Sequence, residues 1–425
     1  MSSTQSLNRL RYALGPGLLM AGAAIGVSHL VQATRAGAEY GFLLLGLVIV
    51  ACLLKYPFLE YGPRYAAATG RSLLDGYWRQ GRWAVGLYTL VTLGTMFVIL
   101  ASVTMVTAGL AGLVFGLEAS VTQLSLGVLL ACAVILAIGR FPGLDAAMKL
   151  IMTALALATV VALGLAFGNP EVRAGLEFGP PASSLWTGAG IAFLLALMGW
   201  MPIPLDVAAW HSLWTLERTR QTGREPGLHG ALLDFRIGFI GATLLAAAFL
   251  MLGAAVMYGS GEGFAETSVG FSAQLVALYG ATLGPWSETL IAVIALLVMF
   301  STTLAVSDAY PRVLRALVNM AHAETREEDS ADHQRALYAV SLVLAMSGAM
   351  VVLHFFGDRF TALIDFATTL SFLSAPVLAW LGYRAVTGPW MPPEARPGPG
   401  MRLFAWAGMG FLVMFLLAWA WWRIF

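Results

Sequence analysis

Charge is what this chain has least of. Only 11% of its 425 residues are Asp, Glu, Lys or Arg, against 59% hydrophobic. Soluble globular domains carry about 25% charged residues. So few ionic groups cannot clothe a water-soluble surface, and a mean hydropathy of +0.79 makes the chain a polytopic membrane protein. The net charge of +1 gives no pointer to nucleic acid or to another charged partner. Cysteine is nearly missing too. Cys52 and Cys132 both fall in expected membrane helices, which excludes a disulfide framework and leaves them as small core residues. No nucleophile–base pair and no phosphate-binding loop occurs, so neither an enzyme nor a cofactor is expected. The first ten residues lack the pattern of a cleavable signal, and the first apolar stretch is expected to stay as a membrane helix.

What is present is a series of long apolar runs. A helix needs about 20 apolar residues to cross the hydrocarbon core. Eleven runs qualify, near 14–34, 42–68, 84–112, 121–138, 146–167, 188–212, 235–257, 285–318, 335–355, 361–386 and 402–422. Arginine and lysine give an independent check. With the N-terminus inside, 19 of them fall on the cytoplasmic side, and Arg35, Arg173, Arg359 and Arg423 on the external side. That split follows the positive-inside rule and places the C-terminus outside. The expected location is a bacterial inner membrane. The connections are short, and 388–400 is a proline-rich linker to the last run.

Two of the runs are interrupted. The first holds Gly22 and Gly26 followed by Ser28-His29; the sixth holds Gly199, Pro202 and Pro204 followed by Asp206 and His211. Interrupted helices at matching places in two halves of a chain point to a transporter site at their crossing. Eleven runs divide as five, five and one. An odd repeat reverses the direction of entry, so the expected fold is all-α, with two inverted five-helix repeats (14–167 and 188–386) and an extra helix (402–422), forming one transmembrane domain over 1–425.

Ionisable residues at membrane depth are costly and often mark a pathway. His29 lies beside the first break; as a neutral imidazole it suits a metal or a proton, or a hydrogen bond to backbone. Proline in Met201-Pro202-Ile203-Pro204 frees upstream carbonyls that suit a cation, and the Met201 thioether suits a soft one. Asp206 supplies negative charge there, or caps the following helix. His211 is expected at the interface. Asp308 follows Ser301, Thr302 and Thr303, hydroxyls that complete a cation site or join helices. Asp365, Thr368 and Thr369 border a possible polar cavity. Lys55 and Glu60 are expected to form a structural ion pair.

These residues carry a resemblance. Gly15-Pro16-Gly17, the ungapped stretch to Tyr40-Gly41-Phe42, Gly70 with Arg71-Ser72-Leu73-Leu74, Gly143-Leu144-Asp145 through Lys149, and Gly199 to Pro202 resemble the Nramp family of divalent-metal transporters, in particular a divergent bacterial branch. The resemblance implies a LeuT-type fold and proton-coupled uptake of manganese or iron. It also shows departures. Gly26-Val27-Ser28-His29 stands where the family has Asp-Pro-Gly-Asn, and Ile203 stands where it has a histidine after Met-Pro. The expected midplane site is built from His29, Met201 and Asp206 as metal ligands, with the carbonyls of Gly26 and Met198, and with Ser28 and Thr369 at its border. The coupling proton falls to His29, Asp206 or Asp308. Two alternatives stay open. One is a symporter of a small amino acid-like solute, held by backbone amides of the 22–26 stretch. The other is a membrane sensor or scaffold.

Overall fold

A computed structural model describes residues 15–138, 142–174, 176–223, 225, 227–261, 263–322 and 331–424. Among them the regular structure is all helical, without strands. The helices are α1 (Pro16–Tyr40), α2 (Leu45–Thr69), α3 (Leu73–Trp78), α4 (Arg82–Phe115), α5 (Val121–Ile138), α6 (Pro142–Gly168), α7 (Gly188–Trp200) and α8 (Val207–Thr222). They continue as α9 (Gly227–Val256), α10 (Ser268–Leu283), α11 (Ser287–His322), α12 (Ala331–Phe356), α13 (Phe360–Thr387) and α14 (Pro399–Ile424).

Nine helices among the described residues are long and apolar enough to cross a membrane. They occupy nine of the eleven expected runs. The fifth and sixth runs, at α6 and α7, offer shorter apolar stretches, so length and composition alone give nine rather than eleven. Two elements escaped the sequence reading, the short α3 and a longer one. The connection after α9 contains α10, a 16-residue helix opened by Thr267, whose hydroxyl accepts from the Gly270 N–H. Its length is below the span threshold, and its polar flanks read as loop. The interruptions in the first and sixth runs are real breaks. Gly26 leaves helical geometry inside α1 (φ −66°, ψ −129°). Met201 to Asp206 separate α7 from α8 without a regular helix.

The core positions these breaks. α1 packs along α9, α7 against α13, α8 against α2, and α11 against α4. The α1–α9 contact is backbone on backbone. A Cβ on Gly37 would lie 2.0 Å from the Leu250 carbonyl oxygen, and one on Gly238 would lie 2.1 Å from that of Gly17. Small residues permit this approach, which in an apolar solvent provides dispersion contact rather than hydrophobic gain.

The start of α1 is fastened by a side chain from α9. Asp234, buried, accepts from the Gly15 N–H at 3.0 Å and the Gly17 N–H at 2.6 Å. Pro16 between them has no N–H to satisfy, so one carboxylate serves the first open donors of the helix. Carboxylate-to-amide bonds at a helix N-terminus are charge-assisted. Asp234→Ala is expected to destabilise the protein by about 2 kcal/mol, at the upper end for helix caps. Thermal unfolding of the purified protein in detergent checks this. A melting temperature within error of wild type would contradict it.

Candidate functional site

The break in α1 and the gap between α7 and α8 meet at Ser28. Its hydroxyl lies within hydrogen-bond reach of the Ala24 carbonyl on its own helix, of the Pro202 carbonyl at 3.1 Å, and of His29 Nδ1 at 2.9 Å. It has one proton to give, so these three acceptors share it. Thr302 on α11 donates to Gly22 O at 3.0 Å, and its methyl group fills the space beside Gly26, where a Cβ would approach it to 2.7 Å. Two carbonyls ahead of the α1 break therefore have hydroxyl partners within the protein. Thr303 meets Thr107 of α4 at 2.7 Å, joining helices.

His29 is fully buried. Its Nε2 lies 2.8 Å from the Ala242 carbonyl of α9. A carbonyl only accepts, so Nε2 carries the proton and Nδ1 is left to accept from Ser28. Both ring nitrogens are thus engaged with neighbouring groups. Nδ1 holds the lone pair a ligand would need, and it becomes available when Ser28 turns to Pro202 or Ala24.

Asp206 stands at the N-cap position of α8, yet its side chain makes no capping bond. The first α8 N–H groups bond instead to Pro204, Leu205 and Asp206 carbonyls. The carboxylate, 5% exposed, turns toward Tyr310, whose hydroxyl donates to Oδ2 across a long 3.4 Å; Oδ1 has no partner among the described residues. Tyr310 meets Trp210 edge-on, ring centroids 4.9 Å apart, and Tyr77 and Tyr88 form a tilted pair whose centroids are 5.3 Å apart. Trp210 Nε1 and both ring nitrogens of His211 are also buried without a partner among the described residues. His211, expected at the interface, is 1% exposed and packs against Phe235. The aromatic bulk of α9 covers this face of α8.

Lys55 departs furthest from expectation. It does not pair with Glu60. The helix carries them to different faces, and Glu60 binds Arg64 at 2.6 Å and the Tyr56 hydroxyl at 2.7 Å. Lys55 Nζ instead donates to the carbonyls of Met198 and, at 2.9 Å, Gly199, in the last turn of α7. It is fully buried.

Met201, joined to Pro202 by a cis peptide bond, is fully buried in the gap. Thr369 is half-buried, and its neighbour Thr368 is the residue turned inward, at 3.4 Å from Gln32 Nε2. Gln32 also donates to Asp365, which Arg35 grips with two bonds of 2.9 Å. Asp308 is committed elsewhere, to Arg312 at 2.6 Å and the Tyr338 hydroxyl at 2.6 Å. Asp145 and Lys149 lie in a part of α6 whose side chains are outside the described residues. Among the described residues, no three His, Cys, Asp or Glu side chains gather into one group. Sequence reasoning missed Gln32, in the broken helix itself, and Tyr310, beside Asp308, and misread Lys55.

A bundle of membrane helices in which two broken segments cross, with buried polar groups at the crossing, defines a membrane transporter fold. The chain belongs to the Nramp family, natural resistance-associated macrophage protein-like, whose pattern matches residues 17–421. It is 33% identical over 374 residues to an uncharacterised protein of Pasteurella multocida, covering 88% of this chain and 84% of that one. Its fold is similar to that of the Eremococcus coleocola manganese transporter in complex with an aromatic bis-isothiourea compound, with a TM-score of 0.74 and 14% identity, covering 98% of this chain and 87% of the other. It is also similar to a nucleobase-cation-symport-1 family transporter with bromovinylhydantoin bound, with a TM-score of 0.56 and 15% identity, covering 87% and 77%. The chain is thus a multi-pass membrane protein of a transporter family.

Proposed function

We propose that this chain is a secondary transporter that moves a divalent metal ion of the manganese or iron type through the crossing of the α1 break and the α7–α8 gap. The observation that carries the reading is Asp206. A buried carboxylate with an oxygen lacking a partner among the described residues is a costly arrangement unless a cation joins it. Met201 offers a soft thioether in the same gap, Met198 a carbonyl, and Gly26, Ser28, His29 and Thr369 form the border. His29 completes the metal's ligands by releasing Ser28. Of the coupling candidates, Asp206 and His29 lie at the crossing, while Asp308 is held in its ion pair. The family and the fold of a manganese transporter support this assignment. The two inverted repeats, 14–167 and 188–386, with 402–422 added, fit an odd number of spans between the breaks. The basic residues favour a cytoplasmic N-terminus and an external C-terminus in a bacterial inner membrane.

A second reading is favoured by Lys55, which fills two carbonyls otherwise open to a cation: a symporter of a small organic solute on the same fold. The fold's likeness to a transporter with a bound hydantoin is compatible with it. Purified protein in liposomes separates the two. Mn2+ entry that is accelerated by an inward proton gradient supports the first. Absence of Mn2+ flux together with saturable amino acid uptake overturns it in favour of the second.

A further inference from the structure

The last turn of α7 ends in carbonyls that no following N–H reaches, because the chain leaves the helix at Met201. Such an end carries the negative pole of the helix dipole and attracts a cation. This chain supplies one from within. Lys55 reaches across from α2, fully buried, and spends its donors on the Met198 and Gly199 carbonyls. Among the described residues it forms no ion pair that would explain its burial, with Asp206 or with any other carboxylate. A divalent ion placed beside Asp206 would then face one nearby negative charge and one nearby positive charge. In a low-dielectric interior, repulsion between the ion and the ammonium is weakly screened.

We propose that Lys55 is a tethered cation that competes with the transported metal for the carbonyls ending α7, so that cargo binds as Lys55 withdraws. This rests on the metal-transport reading. It makes Lys55 a determinant of affinity rather than a ligand: its charge sets how weakly the empty site holds metal and hence how readily cargo is released. A purely structural pin differs in its signature. Its removal would lower stability and leave metal affinity unchanged or weaker.

The test measures Mn2+ binding to the purified full-length protein by titration calorimetry, with thermal unfolding as the check on folding. Lys55→Gln keeps an N–H donor but no charge. It is expected to bind Mn2+ at least tenfold more tightly than wild type, while Lys55→Arg, which keeps the charge on a bulkier group, gains nothing. Lys55→Met serves as a second uncharged variant. If wild type binds Mn2+ and the folded uncharged variants bind no more tightly, the proposal is overturned and the metal reading stands. Folded protein that binds no Mn2+ in any form overturns the metal reading and the proposal with it. Should neither uncharged variant fold, Lys55→Arg decides. Binding no tighter than wild type supports competition, and tighter binding overturns it.

Discussion

Replacing Asp206 with asparagine is expected to reduce Mn2+ uptake at least 100-fold while leaving the protein as stable as wild type, or more so. A hundredfold loss corresponds to about 2.7 kcal/mol, a modest figure for removing a carboxylate at the crossing of the breaks. Asparagine keeps the shape and an oxygen, so packing among Trp210, Tyr310 and the Tyr77–Tyr88 pair survives. What disappears is the charge. Its burial costs the folded protein energy, because among the described residues Oδ1 lacks a partner and the Tyr310 bond is long. A buried charge without full pairing is costlier than a neutral amide in the same place, so the variant is expected to melt at or above the wild-type temperature. Transport assays and thermal unfolding on one preparation check both halves. Loss of stability alongside loss of uptake would indicate that Asp206 holds the fold rather than the cargo.

The opposite pattern is expected at Gly199. A Cβ there would lie 2.0 Å from the Thr368 carbonyl oxygen and 2.8 Å from its carbon, backbone atoms of α13 that cannot turn aside. Valine adds two methyl groups to that collision and pushes α7 off α13 where Lys55 bonds the Met198 and Gly199 carbonyls. Overpacking of a close-packed interior costs about 1–3 kcal/mol, and Gly199→Val is expected at or above the top of that range. The expected result is loss of monodisperse protein on size exclusion or a sharply lowered melting temperature. Gly164→Ala is the control: a Cβ at Gly164 on α6 meets nothing within 4 Å, and alanine is favoured over glycine in a helix by about 1 kcal/mol. Equal behaviour of the two variants would contradict the packing argument.

How far the residues spoke for themselves follows from the range of each signal. The breaks were legible because glycine and proline act locally. Gly26 leaves the helix, and Pro202 and Pro204 stop it, whatever surrounds them. The nine long spans were legible because lipid demands a continuous apolar run. α10 was not, since a helix lying among other helices needs neither that length nor that purity. Lys55 was illegible for another reason. Its acceptors are more than 140 positions away in sequence, and a lysine five residues from a glutamate reads as half of an ion pair. The engagement of His29 depends on Ala242, a carbonyl with no side-chain signature at all. Asp206 could be placed at a helix start from sequence, but only the fold reveals that its side chain declines the capping role and faces Tyr310 instead.

The two ends of α1 are held on α9 differently from its middle. Asp234 grips the first N–H groups, and glycine contacts bring the two backbones together near Gly17 and again near Gly37. Gly26 lies between these anchorages. For α1 to slide along α9, both contacts would have to open, with backbone atoms passing where side chains are already excluded. The mechanical freedom left to α1 is flexure at the break. Any larger displacement must take α9 along as a two-helix lever, with His29 and its bond to Ala242 as a stay near the fulcrum.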